Sequence, residues 1–256
     1  MNYDPSKPLL FQHIPKCAGT SLLNVFRFWF GDRLWTHYYD NKLNEPPKIL
    51  PESELAGEGG WGRCLFGHFS RGRGTGVEDY YPHVGQIITV IRDPFDHAVS
   101  SYFFAKSRAS GGKPNLLGRA ILERELSLES YLEEFGCYYG DFLPLDLSKA
   151  NYRNLLRDRF LFIGLTERLE DTVGSLASIL GKPKAVVPRK NVSKRGRREN
   201  FSALREGFEG RNRFMVDVYN ECVLIFEERR KRSFWEGITD RFMPLVRSKS
   251  ARSDLE

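Results

Sequence analysis

The sequence predicts an α/β fold, a single-domain three-layer sandwich in which helices flank a central parallel sheet. Three segments each place a short apolar, strand-like run directly before a helix-like stretch. Repeated units of this kind favour parallel strands, because each helix returns the chain across the sheet before the next strand begins. With 256 residues and 41% hydrophobic composition, the chain is large enough for one substantial core.

The strands and helices are predicted as follows. The strand-like runs cover 9–14, 86–91 and 160–164, and the helical stretches behind them cover 20–30, 95–105 and 167–180. The second run is rich in β-branched residues, which is typical of a parallel strand buried on both faces. A further short strand is predicted at Cys64-Leu65-Phe66, and helical spacing of apolar residues predicts one long helix between Phe201 and Arg232.

Features of the whole chain predict a cytoplasmic protein with one domain over residues 1–245 and a disordered tail over residues 246–256. The closing segment is polar. No stretch approaches the ~20 apolar residues of a membrane helix, and residues 1–8 lack the apolar centre of a signal peptide. Because the four cysteines have no metal-binding spacing, we expect free thiols and no metal site.

Residues 15–21 are predicted to form an anion-binding loop. The segment Pro-Lys-Cys-Ala-Gly-Thr-Ser follows a strand and opens a helix, so its backbone N–H groups and the helix dipole point to one place. Gly19 permits close approach, Lys16 supplies a cation, and Thr20 and Ser21 supply hydroxyls. The Gly-Lys-Thr/Ser order of a Walker A motif is absent, so the fold is P-loop-like but an ATPase is disfavoured.

A second phosphate-binding site is predicted at the end of the strand 86–91. Arg92 ends this strand and Ser100 follows about two turns along the next helix. Ligands gather at this edge of an open parallel sheet, and an arginine fork with a hydroxyl can hold a phosphate. Two separate phosphate-binding sites indicate a bisphosphorylated nucleotide. The alternative role for Arg92 is a salt bridge to Asp93 or Asp96.

These motifs resemble the sulfotransferase family that uses 3′-phosphoadenosine 5′-phosphosulfate (PAPS). The resemblance is to the branch that contains heparan and uronyl 2-O-sulfotransferases and their bacterial relatives. It rests on the loop 15–21, on Ile91-Arg92-Asp93-Pro94 and on Ser100-Ser101-Tyr102, with further similar segments at 164–167 and 191–195. It implies an enzyme that moves a sulfuryl group from PAPS to an acceptor hydroxyl and releases 3′-phosphoadenosine 5′-phosphate (PAP).

The resemblance also implies roles for individual residues. The first motif would bind the 5′-phosphosulfate and the second the 3′-phosphate, while a basic loop would close over the nucleotide. The implied nucleotide-binding residues are Lys16, Cys17, Ala18, Gly19, Thr20, Ser21, Arg92, Ser100, Ser193, Lys194 and Arg195. Lys16 would in addition stabilise charge on the leaving phosphate.

His68 is the candidate general base. It stands in Phe66-Gly67-His68-Phe69-Ser70, between a short strand and a glycine- and arginine-rich segment. An imidazole that titrates near neutrality can take the proton of an acceptor hydroxyl, and in the family that the chain resembles a histidine in this place is the proposed base. A glycan is the expected acceptor, and Arg71, Arg73 or the basic run could contact an anionic one.

Two other functions stay open at this point. An unusual P-loop kinase would share the strand, loop and helix but would need Mg²⁺ and an acidic residue to hold it. Six of the ten residues from Arg189 to Arg198 are Lys or Arg, so a nucleic-acid-binding module is the other alternative. That reading leaves the Lys16 loop and the spacing of Arg92 and Ser100 unexplained, and nucleic acid is therefore not the expected partner.

Overall fold

The computed structural model describes residues 2–40, 45–112, 115–187 and 201–250. The strands are β1 (Leu9–Gln12), β2 (Leu34–His37), β3 (Cys64–Gly67), β4 (Gln86–Ile91) and β5 (Phe162–Leu165). The helices are α1 (Gly19–Phe30), α2 (Glu52–Leu55), α3 (Val77–Tyr80), α4 (Pro94–Ser110), α5 (Leu116–Glu123), α6 (Leu128–Glu134), α7 (Tyr152–Arg159), α8 (Leu169–Ile179), α9 (Ser202–Arg211) and α10 (Arg213–Ser250).

The five strands form one parallel sheet in the order β2-β3-β1-β4-β5. Every residue of β1, β3, β4 and β5 is buried, so helices and loops cover both faces of the sheet. The edge strand β2 is only partly buried. The predicted α/β fold, a central parallel sheet flanked by helices, is confirmed.

The register of the sheet brings several chain segments to one edge. Gln12 at the end of β1 pairs with Gly67 at the end of β3 and with Thr89 in β4. The loops that follow these strands therefore leave the sheet side by side. β1 lies between β3 and β4, while the helix that follows β1 leads to β2 at the far edge, so the strand order changes direction at β1. Ligands of open α/β sheets bind at such a point.

The apolar residues form two clusters. The larger one surrounds the sheet and includes the stacked rings of Phe11 and Phe66, whose centroids are 4.3 Å apart. The smaller one joins α4, α5, α6 and α9 around residues such as Val99, Tyr131 and Phe208. The second cluster fixes α4 from the side away from the sheet, and α4 carries several residues of the site described below.

The C-terminal region differs from the prediction of one long helix. Two helices, α9 and α10, meet at Asn212, whose side chain accepts the N–H of Cys137 and donates to the carbonyl of Phe208. These contacts fix the break. Helix α10 continues to Ser250, into the segment for which we predicted a disordered tail, and residues 251–256 lie outside the described residues.

A helix that crosses a membrane must combine sufficient length with an apolar surface. None of the described helices is long and apolar enough to cross a bilayer.

Candidate active site

The loop between β1 and α1 has an unusual backbone. Lys16 and Ala18 adopt positive φ angles of 67° and 58°, which cost energy in residues other than glycine and are concentrated at functional sites. The N–H of Cys17 bonds to the carbonyl of Ile14. No residue that the structure describes accepts the N–H groups of Ala18, Gly19 or Thr20, so these donors at the start of α1 are available to an anion.

Gly19 is required for a reason that the sequence did not show. A Cβ atom at this position would lie 1.5 Å from Nε2 of His13, so the imidazole of His13 occupies the space that any larger residue would need. His13 Nδ1 is 2.8 Å from the hydroxyl of Tyr38. His13 therefore supports the first turn of α1 from beneath.

A second histidine braces the loop from the other side. His97, in α4, is fully buried and its Nε2 donates to the carbonyl of Pro15 at 3.0 Å. Burial lowers the pKa of His97 to about 3, so the ring is neutral. No sequence pattern points to His97, because its role depends on the approach of α4 to the loop.

Lys16 is held near the loop by an aromatic ring. Its Nζ lies 4.0 Å from the centroid of Phe104, in α4. Burial, and then the neighbouring charge of Arg92, lower the pKa of Lys16. Since a cation–π contact leaves the ammonium N–H groups available, Lys16 keeps its donors for an anionic ligand.

Arg92 follows β4 and lies beside the same loop. One guanidinium nitrogen, Nη1, donates to the carbonyl of Lys16 at 3.3 Å. The two aspartates considered as alternative partners of Arg92 form ion pairs with Arg205 instead. Nη1 of Arg205 is 3.0 Å from Asp93, and Nη2 of Arg205 is 3.5 Å from Asp96. The alternative of a salt bridge from Arg92 to either aspartate is therefore wrong.

Ser100 lies on the part of α4 that meets the loop. Helical spacing places it about one turn from His97 on one side and from Phe104 on the other, and both of these residues contact the loop. Its side chain is partly exposed.

Thr20 and Ser21 differ in exposure, since Thr20 is exposed and Ser21 is buried in the first turn of α1. Cys17 is fully buried, and burial raises the pKa of its thiol, so its contribution to the loop is its backbone.

Ser193, Lys194 and Arg195, with the rest of the basic run, lie outside the described residues.

His68 lies directly after β3, beside the loop. Its Nδ1 is 2.7 Å from the carbonyl oxygen of His13, and its ring stacks on that of His13 with centroids 4.3 Å apart. A carbonyl only accepts, so Nδ1 carries the proton and Nε2 carries the lone pair. Burial lowers the pKa of His68, with a smaller contribution from the charge of Arg73. The ring is therefore a neutral base with a defined basic atom.

An acidic residue, Glu167, completes this edge of the sheet and was not assigned a role from the sequence. Its carboxylate accepts the N–H of Asp93 at 3.1 Å and the hydroxyl of Tyr219 at 3.2 Å. Burial raises the pKa of Glu167. Across the described ranges, no three His, Cys, Asp or Glu side chains come together as a metal-binding group.

Comparisons with known proteins give a distant likeness. No family model matches the chain, and no curated protein matches it. Among solved structures, it is similar to the crystal structure of mouse sulfotransferase SULT7A1 complexed with PAP, with a TM-score of 0.42 and 14% sequence identity. The match covers 73% of this chain and spans 62% of the length of the mouse chain. This likeness is too remote for a function to be inferred from it.

Proposed function

We propose that this chain is a sulfotransferase that moves a sulfuryl group from PAPS to an acceptor hydroxyl. The observation that carries the proposal is the arrangement of Lys16, Arg92 and His68 at one edge of the sheet. Two cations without carboxylate partners among the described residues lie beside free backbone donors, and a neutral imidazole follows the adjacent strand.

The residues present fit a nucleotide that bears two separate phosphate groups. The N–H groups of Ala18, Gly19 and Thr20, with Lys16, would bind the 5′-phosphosulfate at the positive end of α1. Arg92 and Ser100 would bind the 3′-phosphate, because only one guanidinium N–H of Arg92 has an acceptor among the described residues. We propose that Ser193, Lys194 and Arg195 close over the same nucleotide.

The donor supplies a sulfuryl group joined to a good leaving phosphate, and the protein supplies position, charge and a base. His68 Nε2 accepts the proton of the acceptor hydroxyl as its oxygen forms a bond to sulfur. The bond from sulfur to the phosphate oxygen breaks in line, and its electron pair stays on that oxygen. Lys16 and the loop N–H groups stabilise the charge that develops there.

A glycan hydroxyl is the proposed acceptor. Arg73 is exposed and lies near the base, because its charge adds to the effect of burial in lowering the pKa of His68 and opposes the effect of burial that raises the pKa of Tyr138. A cation in that place favours an acidic sugar. We also propose action in the cytoplasm, in keeping with four free cysteines, and one catalytic domain over residues 1–245.

Replacement of His68 tests the assignment of the base. We expect His68→Gln to bind PAP with unchanged affinity and to lose transfer from labelled PAPS by about 10²- to 10⁴-fold in kcat, because general base catalysis contributes factors of this size. His83→Gln is the matched control, since His83 is exposed and has no part in the site. Normal turnover by His68→Gln would exclude His68 as the base.

A further inference from the structure

A pocket of about 310 Å³ lies at the opposite, amino-terminal edge of the sheet. Arg33 directly precedes β2, Trp61 shortly precedes β3, and Tyr3 precedes β1. Lys182 follows α8, which runs back along the sheet. These four side chains line the pocket. The volume is at the lower end of the range for small-molecule sites, roughly 300–1,000 Å³.

Two cations of the pocket are held by aromatic rings. Lys182 Nζ lies 4.6 Å from the ring centroid of Phe30. The guanidinium of Arg33 lies 5.8 Å from the same ring and 5.4 Å from the ring of Trp61. A cation–π contact stabilises a positive charge without using its N–H donors. Both side chains therefore keep hydrogen-bond donors for another group.

The positive charge of the pocket is not balanced by the residues that the structure describes. Neither Arg33 nor Lys182 forms an ion pair with any of them. Asp4, beside Tyr3, is engaged by Ser6 and Lys7. Burial, and then the charge of Arg33, lower the pKa of Lys182. An anion between the two cations would relieve their repulsion.

The backbone that carries Lys182 is fixed. The N–H of Lys182 bonds to the carbonyl of Ala177 at 2.8 Å, after Gly181 at a φ of 60° ends α8. The next residue, Pro183, accepts the indole N–H of Trp29 at 2.9 Å. The lysine is therefore presented to the pocket by an ordered helix end rather than by a free surface loop, which reduces the entropy that binding costs.

We propose that this pocket binds a small molecule in which a sulfate, phosphate or carboxylate group is carried on a ring. The fork of Arg33 and the ammonium of Lys182 hold the oxyanion, and the indole of Trp61, which is 52% exposed, covers the ring. The pocket is a second site, separate from the loop of Lys16 because the two lie at opposite ends of the strands. It does not depend on the sulfotransferase proposal.

Calorimetric titration with three probes tests the pocket. The probes are glucose 6-sulfate, adenosine 5′-monophosphate and uncharged glucose. We expect at least one anionic probe to bind and glucose not to bind. Arg33→Gln and Lys182→Gln should each weaken the binding by about 10-fold or more, because each removes a charged hydrogen-bond donor to the oxyanion. Trp61→Leu should weaken it as well.

Lys16→Gln is the control that separates the two sites. If a probe still binds to Lys16→Gln but no longer binds to Lys182→Gln, its site is the new pocket. The anionic probe that binds more tightly then shows whether the anionic group is carried by a saccharide or by a nucleotide. The reverse pattern would overturn the proposal. The absence of binding by both anionic probes would also overturn it. A lowered melting temperature of Arg33→Gln and Lys182→Gln would then show that the cations only stabilise the ends of α1 and α8.

Discussion

The two edges of the sheet both present cations, yet they are built differently. At the carboxyl edge, Lys16 extends from a loop with two positive φ angles, and the half-buried His13 and the buried His97 brace that loop. At the amino edge, Arg33 and Lys182 rest on aromatic rings beside ordinary helix ends. Backbone strain is tolerated where position matters for chemistry. This difference supports the proposals of a reaction site at the carboxyl edge and a binding site at the amino edge.

A further contrast lies within the carboxyl edge itself. Arg205 is paired with Asp93 and Asp96, whereas Arg92, which immediately precedes Asp93, has no carboxylate partner among the described residues and donates to a carbonyl. One arginine neutralises the local acids so that the other stays available. The proposed phosphate site thus depends on a residue more than a hundred positions away in the sequence.

Among replacements of the cations at the carboxyl edge, the largest effect is expected for the loop lysine. Lys16→Ala should lower kcat/KM for sulfuryl transfer by about 10²- to 10³-fold, because removal of one donor to the developing charge typically has this effect. Rates with labelled PAPS measure it. Lys7→Ala, an exposed lysine whose partner is Asp4, is the matched control. Equal rates for the two variants would show that Lys16 contributes no more to the reaction than an ordinary surface lysine.

A smaller effect is expected from the residue that neutralises the local acids. Arg205→Gln frees Asp93 and Asp96, which should then compete for Arg92 and lower PAP affinity by about 10-fold, the size of one lost charged hydrogen bond. Calorimetry measures the affinity. Arg124→Gln, which breaks the exposed pair with Glu134, should leave it unchanged. An unaltered affinity in Arg205→Gln would show that the aspartates do not govern Arg92.

Buried histidines make stability depend on pH. Burial lowers the pKa of His37 to about 4 from a usual 6.5, and no hydrogen-bond partner of its ring nitrogens is found within the described residues. Below pH 6.5 the unfolded chain takes up a proton that the folded chain does not. The contribution of His37 is therefore complete above pH 6.5 and is lost between pH 6.5 and about 4, at about 1.4 kcal/mol per pH unit.

His37→Phe should reduce this slope. The ring of His37 stacks on Phe69 at 4.4 Å, so phenylalanine can replace it without leaving a buried polar atom unpaired. The free energy of unfolding, measured in urea at pH 7.5, 6 and 5, should fall less steeply in the variant than in the original chain. Identical slopes would show that His37 is not neutral in the folded protein.

Sequence reasoning predicted the parts of the candidate site that are encoded locally. The loop 15–21, Arg92 and His68 each stand at the end of an apolar strand, and the parallel sheet brings those ends together. It missed β2, because an edge strand with partly exposed residues lacks a continuous apolar run. It also missed His97, Phe104 and Arg205, whose roles arise from packing across the fold rather than from neighbours in the chain.

The central claim is that the loop of Lys16 and Arg92, at the end of β4, together bind a nucleotide with two separate phosphate groups. Calorimetric titration with PAP, compared with ADP and ATP in the absence of metal, tests it most directly. The proposed site predicts micromolar affinity for PAP and much weaker binding of the other two nucleotides. No binding of PAP by folded protein, or tighter binding of ATP, would contradict it.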